Sequence, residues 1–205
     1  SETIKVSKWS PDSTLLGVPI VLFCLAEFYK EKIDENFEKK IKNLNISEIY
    51  QKIVIEKPFE VFKQKNDEQV KKNQRQAESP TKIHQFFAVK NLLGSEMATN
   101  LGLYKPKSWE LEEIARYGIA TYDGDQNLNF NHKTFGEFLI SLLLFELMQN
   151  FETFSEFQTE FLVKILTDEN FKISRRFLDS LLEKVENFEE EIEFFKAGKK
   201  IVEVF

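Results

Sequence analysis

The segment from Phe135 to Met148 constrains this chain more than any other. Only Glu137, Ser141 and Glu146 interrupt it with polar groups; the rest is Phe, Leu, Ile, Met and one Gly. A helix that is apolar nearly all round has no face to offer water, so it must lie at the centre of its domain. Thr134-Phe135-Gly136-Glu137 has the pattern of a capping box, which makes Thr134 the cap and opens the helix at Phe135. The remainder of the chain has to supply the wrapping.

The segments on either side are suited to that task. Ile83, Phe86, Phe87, Val89, Leu92 and Leu93 predict a helix stopped by Gly94, and a shorter segment follows from Glu96 to Leu101. Ser108-Trp109-Glu110-Leu111 opens another helix, with Leu111, Ile114 and Ala115 inward and Gly118 as its stop. Ile119 to Tyr122, a turn at Asp123-Gly124-Asp125, and Leu128 to Asn131 read as a β-hairpin. Three helical segments followed by a hairpin are what a winged-helix domain requires. Beyond the apolar helix, Phe157, Phe161, Leu162 and Ile165 mark one amphipathic helix. Phe171, Phe177, Leu178, Leu181, Leu182 and Val185 mark another.

Upstream, Pro19 suits the first turn of a helix that runs through Ile20 to Ala26 and on to about Lys32. Asn45-Ile46-Ser47-Glu48 is a capping-box pattern with Asn45 as the cap. The helix it opens carries Ile49, Ile53 and, one position off the stripe, Ile55; Pro58 is expected to end or kink it. From Asn66 to Pro80 the chain is almost wholly polar and reads as a solvated linker or an exposed helix extension. The expected fold class is mainly α, a helical bundle plus a winged-helix domain with a small β-hairpin wing. Its expected divisions are a helical domain over 1–65, a polar linker over 66–81, the winged helix over 82–152 and a second helical domain over 153–205.

Composition narrows the function classes. A net charge of -6 argues against a nucleic-acid footprint, which usually needs a basic face. The candidate recognition helix of a DNA-binding winged helix, Trp109 to Tyr117, sets Glu110, Glu112 and Glu113 against Arg116 alone. Cys24 is the only cysteine, so no intrachain disulfide forms and a reducing, cytoplasmic setting is expected. With two histidines, His84 and His132, a zinc site of the usual kind would need several carboxylates, so no metal is expected. The most apolar stretch, Leu15 to Ala26, falls short of the roughly 20 residues that span a bilayer. Acidic residues before it and Gly17 and Pro19 within it argue against a signal peptide. His84 reads as structural or exposed, on the polar side of its helix. Arg175 and Arg176 read as surface residues or interhelical partners, and Glu189 to Glu193 as a solvated face. A start at Ser1 and an apolar end at Ile201 to Phe205 fit a piece of a longer architecture.

Four segments, in order, resemble the C-terminal half of NACHT-type signal-transduction ATPases, with the nearest likeness to arthropod members that carry ankyrin repeats. Leu15-Leu16-Gly17-Val18-Pro19-Ile20 is similar to the helix after the nucleotide-binding core, whose proline lies against the adenine ring. Ile46-Ser47-Glu48-Ile49-Tyr50-Gln51-Lys52 resembles the family's helix with a tyrosine followed by a basic residue. Phe130-Asn131-His132-Lys133-Thr134-Phe135-Gly136-Glu137-Phe138 resembles the Phe-x-His-x-Thr-Phe-x-Glu-Tyr signature at the end of the wing. Phe171 to Leu178 resembles the helical region that follows.

The resemblance implies a regulatory segment that closes over bound ADP and controls oligomerisation in innate-immune and related signalling. Pro19 would contact the adenine and His132 the β-phosphate; ADP and ATP would be bound only in the context of the full-length parent. Its implied partners are an upstream nucleotide-binding core, downstream repeats and further copies on activation, with no nucleic acid and no membrane. An imidazole at position 132 can donate to an anion, although a residue there can equally cap the next helix. Gly136 departs from the family, which has a larger residue in that place. No G-x-x-x-x-G-K-[ST] loop is present: the one Gly-Lys pair, Gly198-Lys199, is followed by Lys200. No enzymatic activity is therefore expected of this chain by itself. The alternative is a stand-alone helical protein-interaction module without nucleotide control.

Overall fold

The computed structural model describes residues 46–60, 63, 79–125, 127–149 and 154–183. Helix α1 spans Ile46–Tyr50 and widens into a π-helical stretch, Gln51–Glu56, where the Lys57 N–H reaches back to the Lys52 carbonyl. Residues 57–60 remain helical, so Pro58 does not end the helix. A proline lacks the N–H for an α bond, and its ring crowds the carbonyl four residues back. A wider turn just before it relieves both demands. The inward stripe consequently runs Ile49, Tyr50, Val54 and Pro58, while Ile53 and Ile55 are half-buried.

Helix α2 spans Pro80–Leu93, with the proline at its N-terminus, and so begins inside the stretch expected to be linker. Every residue from Ile83 to Val89 is buried, including His84 and Gln85. Gly94 ends it at φ +100°, a conformation that side chains on Cβ disfavour, and its N–H bonds to the Lys90 carbonyl at 3.1 Å. Short helices α3 (Ser95–Asn100) and α4 (Ser108–Ala115) follow. Glu110 does not lie on a solvated face of α4. It is buried, accepts the Lys107 N–H at 2.7 Å and holds the Tyr104 hydroxyl at 2.8 Å.

Strands β1 (Ala120–Tyr122) and β2 (Leu128–Phe130) pair antiparallel, with Ala120 opposite Phe130 and Tyr122 opposite Leu128. The turn between them is closed by Asp123, whose carboxylate accepts the Asp125 N–H at 2.9 Å and the Asn127 N–H at 3.2 Å. Ala120 and Leu128 face the core. The described residues thus form a mainly helical fold with one small two-stranded antiparallel sheet.

Helix α5 (Lys133–Gln149) is central, as its apolar sequence requires, and packs against α2 and against α7 (Lys172–Leu182). Gly136 explains its own small size: a Cβ there would stand 3.3 Å from both Leu92 and Phe130 side-chain carbons. The glycine lets α5 approach α2 and the hairpin together. Helix α6 (Glu156–Thr167) is opened by a capping box in which Ser155 and Gln158 exchange bonds of 3.2 and 2.9 Å. Phe161, Leu162 and Ile165 are buried there, but Phe157, on its first turn, stays exposed. After a 3-10 turn (Glu169–Phe171), Arg175 on α7 donates to the carbonyls of Ile165 and Asp168 at 3.1 and 2.7 Å. Arg175 is therefore an interhelical partner that satisfies the C-terminal end of α6. One hydrophobic cluster joins Tyr50 and Val54 of the first helix to Phe87, Phe138, Phe161 and Phe177. Among the described residues no helix is long and apolar enough to cross a membrane.

Candidate functional site

The sequence nominated Pro19 and His132. Pro19 lies outside the described residues, as do Cys24, Asn45 of the first capping pattern, Val185 and the acidic stretch from Glu189. His132 sits between the end of β2 and the start of α5, half-buried.

The helix begins two residues earlier than the Thr134 capping pattern predicts, at Lys133 rather than Phe135, and His132 takes the capping position itself. Its carbonyl accepts the Phe135 N–H at 3.1 Å, and its Nδ1 accepts the Thr134 N–H at 3.3 Å. Thr134 is consequently inside the first turn, and the Glu137 carboxylate pairs with Lys133 at 3.2 Å instead of reaching back to a cap. The imidazole ring stands edge-on to Phe135, with centroids 6.3 Å apart.

Thr134 Oγ1 lies 2.7 Å from His132 Nδ1 and 2.8 Å from the Tyr50 hydroxyl. The network assigns the protons. Nδ1 already accepts a backbone N–H, so it carries no proton in the neutral ring, and the Thr134 hydroxyl donates to it. That uses the single proton on Thr134 Oγ1, so the Tyr50 hydroxyl must donate to Thr134. The remaining ring proton is on Nε2. Among the described residues every hydrogen bond of the His132 ring runs through Nδ1, which leaves Nε2–H as an available donor.

Tyr50 is held firmly in this chain of bonds. It is 1 % exposed, and its ring packs against Phe177, Phe138 and Phe135 at centroid distances of 4.6, 5.6 and 6.0 Å. The Tyr50–Thr134 pair spans 84 positions of sequence. Nothing local announced the pairing; the sequence singled out Tyr50 only within the resemblance of Ile46 to Lys52.

His84, the other imidazole, is not on a polar face. It is fully buried, 6.2 Å from the Phe130 ring, and neither ring nitrogen has a hydrogen-bond partner among the described residues. Burial pushes its pKa down to about 3, so it is a sealed, neutral ring with no access to an anion. Nearby, Gln85 donates to the Glu146 carboxylate at 2.8 Å, and burial raises the pKa of that acid. Among the described residues no group of His, Cys, Asp and Glu side chains is arranged to hold a metal.

Compared with models of protein families, with curated proteins and with solved structures, the chain matches none.

Proposed function

We propose that this chain is the regulatory helical and winged-helix part of a NACHT-type nucleotide-dependent switch, with His132 as the donor to the β-phosphate of bound ADP. The observation that carries the reading is the division of labour in the His132 ring. Nδ1 is consumed by the helix cap and Thr134, while Nε2–H stays available at the junction of the hairpin and the central helix. The capping role and the phosphate role therefore do not compete for the same atom.

In this reading the helix carrying Tyr50 belongs to the domain beside the nucleotide-binding core, and β1, β2 and α5 belong to the winged helix. ADP would favour the closed arrangement only through its stronger contacts there, and exchange for ATP would release it and expose an oligomerisation surface. The adenine contact of Pro19 remains part of the proposal, as do a cytoplasmic setting and the lack of catalytic activity in this segment by itself. Changing His132 to alanine in the native protein removes a donor to a charged group, worth about 1.5–3 kcal/mol, or roughly a tenfold or greater loss of ADP affinity. Equal ADP affinity in a titration of the two proteins would remove the phosphate role.

A second reading, a stand-alone helical protein-interaction module without nucleotide control, draws on Phe59 and Phe157, large apolar side chains left 47 % and 40 % exposed. Unchanged ADP affinity would favour it.

A further inference from the structure

We infer that Tyr50 is a positioning residue for His132, acting through Thr134, and that this relay makes the anion donor depend on the docking of the first helix. The inference rests on the phosphate reading of His132. Three side chains form one directed path: Tyr50 O–H to Thr134 Oγ1 at 2.8 Å, then Thr134 O–H to His132 Nδ1 at 2.7 Å. Each hydroxyl has one proton to give, so the direction of every bond follows from the first. The path ends by holding the imidazole in one orientation, with the ring proton on Nε2.

The path also joins separate parts of the chain. Tyr50 comes from the first helix, and Thr134 and His132 come from the start of α5. The Tyr50 ring is clamped by Phe135, Phe138 and Phe177, so its hydroxyl can reach Thr134 only while the first helix is packed on α5 and α7. Ser47 and Ser180 make a second polar tie across the same junction, at 3.0 Å between hydroxyl oxygens. If the first helix separates, Thr134 Oγ1 loses the donor that directs its own proton to His132 Nδ1, and the hold on the ring's orientation weakens. The anion site is then complete only in the closed form. A fraction of the rings then leaves the competent orientation, and affinity falls by that fraction.

The test has two arms. The first uses the 205-residue chain with its two histidines labelled at the ring nitrogens, observed by nitrogen NMR. In the unsubstituted protein, His132 is expected to show a protonated Nε2 and an Nδ1 resonance displaced by accepted hydrogen bonds. Thr134→Val should move Nδ1 towards the unbonded position, Tyr50→Phe should move it part of the way, and Thr134→Ser should restore it. A protonated Nδ1 in the neutral ring, or the same Nδ1 resonance in all four proteins, overturns the relay.

The second arm measures ADP affinity in the native protein. Tyr50→Phe should weaken binding roughly two- to fivefold when His132 is present and leave it unchanged when His132 is alanine. The same loss in both backgrounds would make Tyr50 a packing residue and overturn the inference. Equal ADP affinity for His132→Ala alone would sink the phosphate role, and the first arm would then decide the relay independently.

Discussion

Replacing His84 with leucine should stabilise the protein, and more so as the solution is acidified. The ring is 0 % exposed and both of its nitrogens lack hydrogen-bond partners among the described residues. A buried polar group without partners costs about 1–3 kcal/mol, so an apolar side chain there should gain roughly that much at pH 7. The pH dependence comes from the pKa, which burial lowers from 6.5 to about 3. Above pH 6.5 the ring is neutral whether the chain is folded or not. Between pH 6.5 and about 3, only the unfolded chain takes up the proton, so the native protein loses stability as pH falls. The loss is about 1.4 kcal/mol per pH unit, about 2 kcal/mol by pH 5 and about 5 kcal/mol over the whole window. Below about pH 3 both states are protonated and the loss levels off. Urea unfolding of the native protein and His84→Leu at pH 7, 6 and 5, followed by circular dichroism, isolates the effect, because the carboxylates and His132 are common to both. The stability gap should widen by about 2 kcal/mol from pH 7 to 5. A gap that stays constant with pH, or a variant less stable throughout, would refute the reasoning.

Two substitutions in the central helix probe how it is packed. Phe138→Ala empties a fully buried position flanked by Tyr50 and Phe177 at 5.6 and 5.3 Å, and should cost about 3–5 kcal/mol in urea unfolding. Gly136→Leu must push aside the Leu92 and Phe130 carbons that already stand 3.3 Å from a Cβ, costing about 1–3 kcal/mol. Gly136→Ala should be near neutral, since about 1 kcal/mol of helix propensity offsets the crowding; a stable leucine variant would show that α5 and α2 can part there.

Much of the scaffold was legible because its signals are local. An apolar run without a polar face had to be central, Gly94 could adopt the φ that ends α2, and Asp123-Gly124-Asp125 carried the turn chemistry of the hairpin. Ser155-Glu156-Phe157-Gln158 was an available capping signal that a search for apolar stripes passes over. Other features are decided by tertiary packing. His84 is next to Gln85 in sequence, which suggests a polar face, yet α2 is covered on that side too. The helix start moved from Phe135 to Lys133 because a histidine side chain, not Thr134, acted as the cap, a role that composition rarely assigns to it. Glu110 looked like part of an acidic surface, but Tyr104 and the Lys107 N–H turn it inward. Of the candidate site, the sequence nominated His132, whereas its path through Thr134 to Tyr50 required the fold.

The proposal that this chain is the lid of a nucleotide-driven switch turns on what precedes Ser1 in the native protein. The most direct measurement is the intact mass of the native protein, with peptide sequence read upstream of Ser1. The proposal requires a longer chain carrying a phosphate-binding loop and an acidic metal-binding strand upstream. A native chain without them would contradict it, and the nucleotide roles of Pro19 and His132 would fall with it.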